Sequence, residues 1–353
     1  MSDDRRPEFC FDEEDFDPDP FGYDRSPPAR TSSRKPHRRT EEAPYQEVDS
    51  GSTSQPADDG SPQPFGKNSY FSVPDPWPDT HRAAPSEFLR CGLYAPRRRN
   101  GDVLDTHRLE SNANVTLTVS GPELSQLDFD TWLAVIHLLR CGSTEITRRR
   151  LAATWPRARG GNGDHVLRSS LERLSHCDLA LDVQNHPSRL HPDEEPDRYR
   201  YEGCLIDQVE WQDGEASRRD GRLRIALNPE LAVLFERRRR TILLPGHRAA
   251  IGRNPVALWL YGVIRSHREV LPRPIPYYHR MCRSGSVVSD FAQQVKRALE
   301  LLAEQRIIYS AELRRGMLFI QRQRPVSSRQ LPAEDTEWFV RARDGKSRDS
   351  ANV

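Results

Sequence analysis

Apolar and polar positions follow the same succession of periods twice along this chain. The first pass starts near Asn114, where order is expected to begin. "VTLTVS" (Val115–Ser120) alternates as a strand does. "FDTWLAVIHLLR" then sets Trp132, Val135, Ile136 and Leu139 on one face of a helix, capped by Asp128 or Asp130. "STEIT" (Ser143–Thr147) reads as short and extended. "RRRLAATW" (Arg148–Trp155) reads as a short helix stopped at Pro156. After the turn "RARGGNG", "DHVLRSSLERLSHC" (Asp164–Cys177) forms a third helix with Leu167, Leu171 and Leu174 inward. Three strands are predicted next: "LALDVQ" (Leu179–Gln184), "RYRYEGCLIDQVEW" (Arg198–Trp211) and "RLRIAL" (Arg222–Leu227), the first two joined by a long polar loop.

The second pass opens with "NPELAVLFE", where Asn228 caps a helix and Pro229 takes its first position. "RRRRTILL" (Arg237–Leu244) runs into a strand. "NPVALWLYGVIRSHRE" repeats the Asn-Pro start at Asn254 and Pro255, "IPYYHRMC" (Ile275–Cys282) is a short helix, and "RSGS" is a turn. A long helix follows over Ser286–Glu304. "RIIYSA" and "GMLFIQR" make a hairpin around "ELRRG". The order helix, short helix, turn, long helix, hairpin is that of a winged helix. The expected fold class is therefore α+β, with two tandem winged-helix domains.

Composition changes this picture at the ends. Residues 1–70 are rich in Pro, Asp, Ser and Gly and poor in aliphatics, so burial cannot offset their ordering entropy. A disordered acidic N-terminal region is expected. Its "DEEDFDPDPFGYD" (Asp12–Asp24) reads either as a solvating tail or as a docking strand that competes with nucleic acid. The resulting division is 1–75 disordered, 76–113 a linker carrying "PWPDT", 114–238 the first winged-helix domain, 239–324 the second, DNA-binding one, and 325–353 a flexible tail.

The total of 53 Lys+Arg against 52 Asp+Glu conceals a polarity. Residues 1–80 hold 9 basic and 18 acidic side chains, whereas residues 240–324 hold 15 basic and 5 acidic ones. A basic block of that kind suits a polyanion. Only Lys35, Lys67, Lys296 and Lys346 are lysines, and arginine's fork suits phosphate and guanine. A GC-rich genome would produce the same bias. The six cysteines form no CxxC pair, so neither a disulfide framework nor a zinc site is implied. No stretch is apolar enough for a signal peptide or a membrane span, and a cytoplasmic location is expected. No cofactor or metal is expected.

On the long helix, Phe291, Val295, Ala298, Leu299 and Leu302 share one side, and Ser286, Ser289, Gln293, Lys296 and Arg297 the other. The polar side has the donors and acceptors that read base edges in a major groove. Arg283 in the turn and Arg314 and Arg315 at the hairpin tip are placed for phosphates or the minor groove. In the first domain His165, Ser169 and Arg173 are expected to face outward, with Arg168 on the flank, and to touch mainly the DNA backbone, with Glu172 interrupting the positive face. Arg237–Arg240 reads either as a response to a helix dipole or as phosphate contacts.

Several stretches resemble the TrfA-type plasmid replication initiators. They are "PWPDT" (Pro76–Thr80), "DFDTWLAVIHLLR", "LERL" (Leu171–Leu174), "VLF" (Val233–Phe235), "SHRE" (Ser266–Glu269), and "MC" with Ser284 and Ser286. Gln294, Val295, Ala298, Glu300 and Leu302 also fit, and the likeness covers about Pro76 to Ala311. The resemblance implies binding to repeated sites (iterons) in double-stranded DNA at a plasmid origin, followed by origin opening. It also implies recruitment of the host replicative helicase with the host initiator protein, and a homodimer as the inactive form. One departure is "SVVSD" (Ser286–Asp290), where the family tends to be basic, so the iteron sequence is expected to differ. The alternatives are a winged-helix transcriptional regulator or autorepressor, a partitioning adaptor, and a nicking nuclease. The nuclease is disfavoured because no two of the 11 histidines stand two apart to hold a metal; separately, no P-loop is present, so there is no ATPase signature. The protein is expected not to be an enzyme.

Overall fold

The computed structural model describes residues 71–96, 103–111, 114–154, 163–185, 197–212, 221–322 and 336–341. The acidic region, as far as residue 70, lies outside them. Folded structure starts well before Asn114. Phe71, Val73 and Trp77 are buried, and β1 (Arg82–Pro85), α1 (Ser86–Leu89) and β2 (Tyr94–Ala95) bury Ala83, Ala84, Phe88, Leu89 and Tyr94. The stretch expected to be a linker thus contributes to the core. Its apolar residues stand singly among prolines and charges, without a period to announce them.

β3 (Val103–Leu109), β4 (Val115–Pro122) and β5 (Leu124–Ser125) lead into α2 (Gln126–Leu139). The cap of α2 is Ser125, not Asp128 or Asp130. Asp128 sits at the third helical position and accepts from the Ser125 N–H at 2.8 Å, the return bond of a capping box. Every α2 residue except Leu127 is buried, as befits a helix apolar on nearly all sides. β6 (Glu145–Thr147), α3 (Arg148–Thr154) and α4 (Gly163–Ser175) follow, the last burying Leu167, Leu171 and Leu174 as expected.

β7 (Asp178–Asn185), β8 (Asp197–Cys204), β9 (Gln208–Gln212) and β10 (Arg222–Ala226) complete the first half. The single strand expected over Arg198–Trp211 is two. Leu205 and Ile206 are fully buried where the chain turns, and their apolarity had read as strand continuity. β8 closes the sheet β3-β4-β7-β8, while β9 belongs to β6-β10-β9.

The second half begins with a 3-10 helix, Pro229–Phe235, whose Asn228 cap accepts from the Glu230 N–H at 2.9 Å. β11 (Arg240–Leu243) pairs antiparallel with β1. α5 (Pro245–Ile251) was not anticipated. α6 (Pro255–Ser266) starts as expected, with Asn254 accepting from the Ala257 N–H at 3.0 Å. β12 (Arg273–Pro274), α7 (Ile275–Met281), α8 (Val288–Glu304), β13 (Ser310–Arg314), β14 (Met317–Gln321) and β15 (Thr336–Arg341) follow. The sheet order is β12-β14-β13-β15. β15 falls within the segment expected as a flexible tail; it pairs antiparallel with β13 and buries Val340.

The fold is a mixed one of helices and sheets. A continuous cluster of buried apolar residues runs from Phe71 to Val340. Two ion pairs lie across it. Arg248 of α5 meets Asp130 of α2 at 2.6 Å, each side chain 4 % exposed, and Arg283 meets Glu123 at 2.9 Å. Among the described residues no helix is long and apolar enough to cross a membrane.

Candidate nucleic-acid interface

α8 divides as its periodicity predicts. Phe291, Val295, Ala298, Leu299 and Leu302 are completely buried. Ser289, Gln293 and Arg297 are exposed, four residues apart, and Lys296 is half-buried beside them. No described residue forms an ion pair with Lys296 or Arg297, so both charges are available to an incoming anion. The exposed stripe continues into Glu300 and Glu304, which the charge count had averaged away. Only the N-terminal half of α8 therefore suits a phosphate-rich partner.

The approach to α8 is a built turn. His279 of α7 bonds the Ser286 carbonyl through Nε2 at 2.6 Å, and its ring packs edge-on against Phe291 at 5.3 Å. Ser286 lies in this turn and not on the helix, and its hydroxyl is 2.8 Å from the Ser284 hydroxyl. Arg283 does not point at a ligand. It is one of three described non-glycine residues with positive φ, at 55°, and its guanidinium is spent on Glu123, itself 3 % exposed. Its stem crosses Gly92, where a Cβ would stand 2.8 Å from Arg283 Cγ. The expected DNA contact is thus a tether between the α7–α8 turn and the first half.

The β13–β14 hairpin turns through Arg315 and Gly316, with φ of 49° and 69°. Arg314 and Met317 pair across its mouth. Such two-residue turns favour Asn-Gly, so an arginine here gives up turn preference for charge. Arg315 is exposed, and the Arg314 guanidinium lies 4.5 Å from the Phe319 ring centre. Glu337 of β15 accepts from the Gly316 N–H at 2.7 Å and steadies the tip.

No family model matches this chain, and no curated protein does. Among solved structures, a crystal structure of domains 2 and 3 of RctB is similar at TM-score 0.44 and 12 % identity, covering 69 % of this chain and 99 % of that one. A second RctB structure, of domains 2–3, is similar at TM-score 0.37 and 12 % identity, covering 60 % and 81 %.

The four residues expected to face outward in the first half do not act together. His165 and Arg168 are exposed, and Ser169 is half-buried. The Arg168 guanidinium lies 4.1 Å from the Trp211 ring centre, and Arg148 lies 5.1 Å from the same ring. Arg173 points inward. It holds Asp128, which is fully buried, at 2.6 Å, and Ser170 donates to the same carboxylate oxygen at 2.7 Å. An unpaired carboxylate there would cost several kcal/mol, so the arginine is structural.

The Arg237–Arg240 run is also largely consumed within the fold. Arg237 and Arg240 both bind Asp75, the latter at 2.9 Å. Arg239 is buried 4.0 Å from the Tyr199 ring centre. The bonds from Arg237, ahead of the burial that opposes them, hold the Asp75 carboxyl below its ordinary range. The neighbouring "PWPDT" segment is a clasp. Trp77 stacks on Phe235 at 5.5 Å, its indole N–H donates to His137 Nδ1 at 3.2 Å, and Asp79 takes Arg140 at 2.5 Å. Burial, then the charges of Arg82 and Arg140, push His137 down to about 3, so it is neutral and accepts the indole proton. Among the described residues no group of His, Cys, Asp or Glu is placed to share a metal ion.

Proposed function

We propose that this chain binds double-stranded DNA through α8 and the β13–β14 hairpin and serves as a plasmid replication initiator. The observation that carries the DNA reading is the exposed N-terminal half of α8. Gln293 stands there with Lys296 and Arg297, with which no described residue forms an ion pair, in the block of residues 240–324 that holds 15 basic and 5 acidic side chains. The succession α6, α7, α8, β13, β14 supports a winged-helix reading, in which α8 enters the major groove and the hairpin grips the backbone. The succession α2, α3, α4, β7, β8 supports a second such unit in tandem, with His165, Arg168 and Ser169 as its candidate contacts. Binding of this kind weakens with salt by about 0.9 log units per log unit for each phosphate neutralised.

The resemblance to TrfA-type initiators supports the narrower role. In it, the chain occupies iterons at an origin, opens adjacent DNA, and brings in the host helicase with the host initiator. Monomers act and homodimers are inactive. The protein catalyses no reaction of its own. Selection of bound fragments from random duplexes tests the role, followed by a search for tandem copies beside the encoding gene. Permanganate reactivity next to those copies marks an initiator. Specific binding to a promoter without melting would make the protein a transcriptional regulator, and nicking of a supercoiled origin with a divalent metal would make it a nuclease.

A further inference from the structure

Two residues at the leading end of α8 break a local rule and a surface rule together. Val287 occupies the N-cap without a side-chain hydrogen bond to the first turn, where Ser, Thr, Asp and Asn are favoured and valine ranks low. Val287 is 64 % exposed and the adjacent Val288 is 41 % exposed. Among the described residues the other large exposed apolar side chains, Val103, Leu271 and Phe339, stand apart from one another in the chain. Single exposed apolar side chains need no explanation. A contiguous pair that also displaces a helix cap is a conflict between local preference and surface chemistry, and such conflicts gather at functional sites.

The surroundings specify the occupant. The valines are followed by Ser289 and the exposed Asp290, then by Gln293, and then by Lys296 and Arg297, with which no described residue forms an ion pair. The turn before them is held by His279 and Arg283. Two valines are too little apolar surface to anchor a protein interface, whose anchors are large aromatic or arginine side chains in desolvated pockets. A duplex instead offers isolated methyl groups, one on each thymine, beside the hydrogen-bonding edges of the major groove. Valine has two methyls and no polar atom, which matches that target.

We propose that Val287 and Val288 read thymine C5-methyl groups, so that the bound site carries thymine where the tip of α8 enters the groove. This rests on the DNA reading above. A contact of this type is apolar, so the preference it creates persists as salt rises, unlike the grip of Lys296, Arg314 and Arg315 on phosphates.

The test uses the full-length protein and the duplex it selects from random sequence, with each thymine replaced singly by uracil. The replacement removes the methyl and leaves every hydrogen-bonding group in place. Binding is expected to weaken about four- to tenfold at one or two positions, the scale of one buried methyl or slightly more, and by the same factor at low and physiological salt. Val288→Ala and Val287→Ser should each reduce that penalty, and both together should erase it. Val287→Ser should at the same time raise the melting temperature, because it restores a cap, so unfolding could not explain the loss. If wild-type protein still prefers the selected sequence but tolerates uracil everywhere, the DNA reading stands and this inference falls. It also falls if the penalties survive in the double valine variant, or if that variant changes sedimented mass instead, which would make a second copy the occupant. If no sequence emerges from selection, the DNA reading fails and takes this inference with it.

Discussion

At the scale of single residues, the same side chain does opposite work depending on what faces it. Arg173 and Arg297 each stand on the last helix of their half, and both are sequence candidates for DNA contact. Arg173 neutralises the buried Asp128, whereas Arg297 has solvent around it. Arg173→Ala should therefore destabilise the fold by roughly 3–5 kcal/mol, the usual consequence of stranding a buried charge, seen as a lower urea midpoint. Arg297→Ala should leave that midpoint nearly unchanged and cost about 1–3 kcal/mol of binding, relaxing preference at one or two base pairs. Equal weakening on all sequences would contradict its assignment to base reading. Arg315 holds a left-handed conformation at the hairpin tip, which disfavours any side chain by about 1 kcal/mol. Arg315→Gly should raise stability by that amount, while weakening binding to all duplexes alike and flattening the salt dependence. Charge and exposure of these arginines follow from the sequence only in part. Asp128 lies 45 residues before Arg173, and no local pattern joins them.

Among elements, legibility follows how local the cause is. α8 and α6 were read correctly because an apolar period and, for α6, an Asn-Pro cap are written within the helix itself. β15 was missed because its pairing with β13 is a long-range event, and the β8–β9 break was missed because buried Leu205 and Ile206 imitate a strand. The 76–113 stretch was misread for the same reason, since the clasp of Trp77 and Asp79 has meaning only against α2 and the 3-10 helix. That clasp makes a prediction about pH. His137 titrates near 3 in the folded chain and near 6.5 when unfolded, so below about 6.5 the unfolded chain takes up a proton that the fold refuses. Stability should fall as pH drops from about 6.5 towards 3. Between pH 6.5 and 5, His137→Gln should reduce the slope in urea-unfolding free energy, the remainder coming from His247 and His267, which burial also holds below the ordinary histidine range. An unchanged slope would mean that His137 is protonated in the fold and is not the indole's acceptor.

At the scale of the whole molecule, the buried pairs Arg248–Asp130 and Arg283–Glu123 join the second half to the first. The second of them fixes the turn that aims α8. This explains why the most interior charges of the basic block are structural, and why the net charge of a segment overstates what a ligand meets. Arg253, Arg268, Arg273, Arg280 and Arg306 are exposed as well, but the cations assigned to the duplex, Lys296 and Arg297 on α8 and Arg314 and Arg315 on the hairpin, lie on two elements. Their placement leads to a defined expectation for the intact protein. The central claim is that α8 selects a particular duplex sequence. The most direct measurement is competition binding at physiological ionic strength, with the duplex selected from random sequence against scrambled duplex of equal length and composition. The account predicts at least a thousandfold preference for the selected duplex, on the order typical of specific over non-specific binding, reduced about 5- to 150-fold in Arg297→Ala. Equal competition by the scrambled duplex would contradict it.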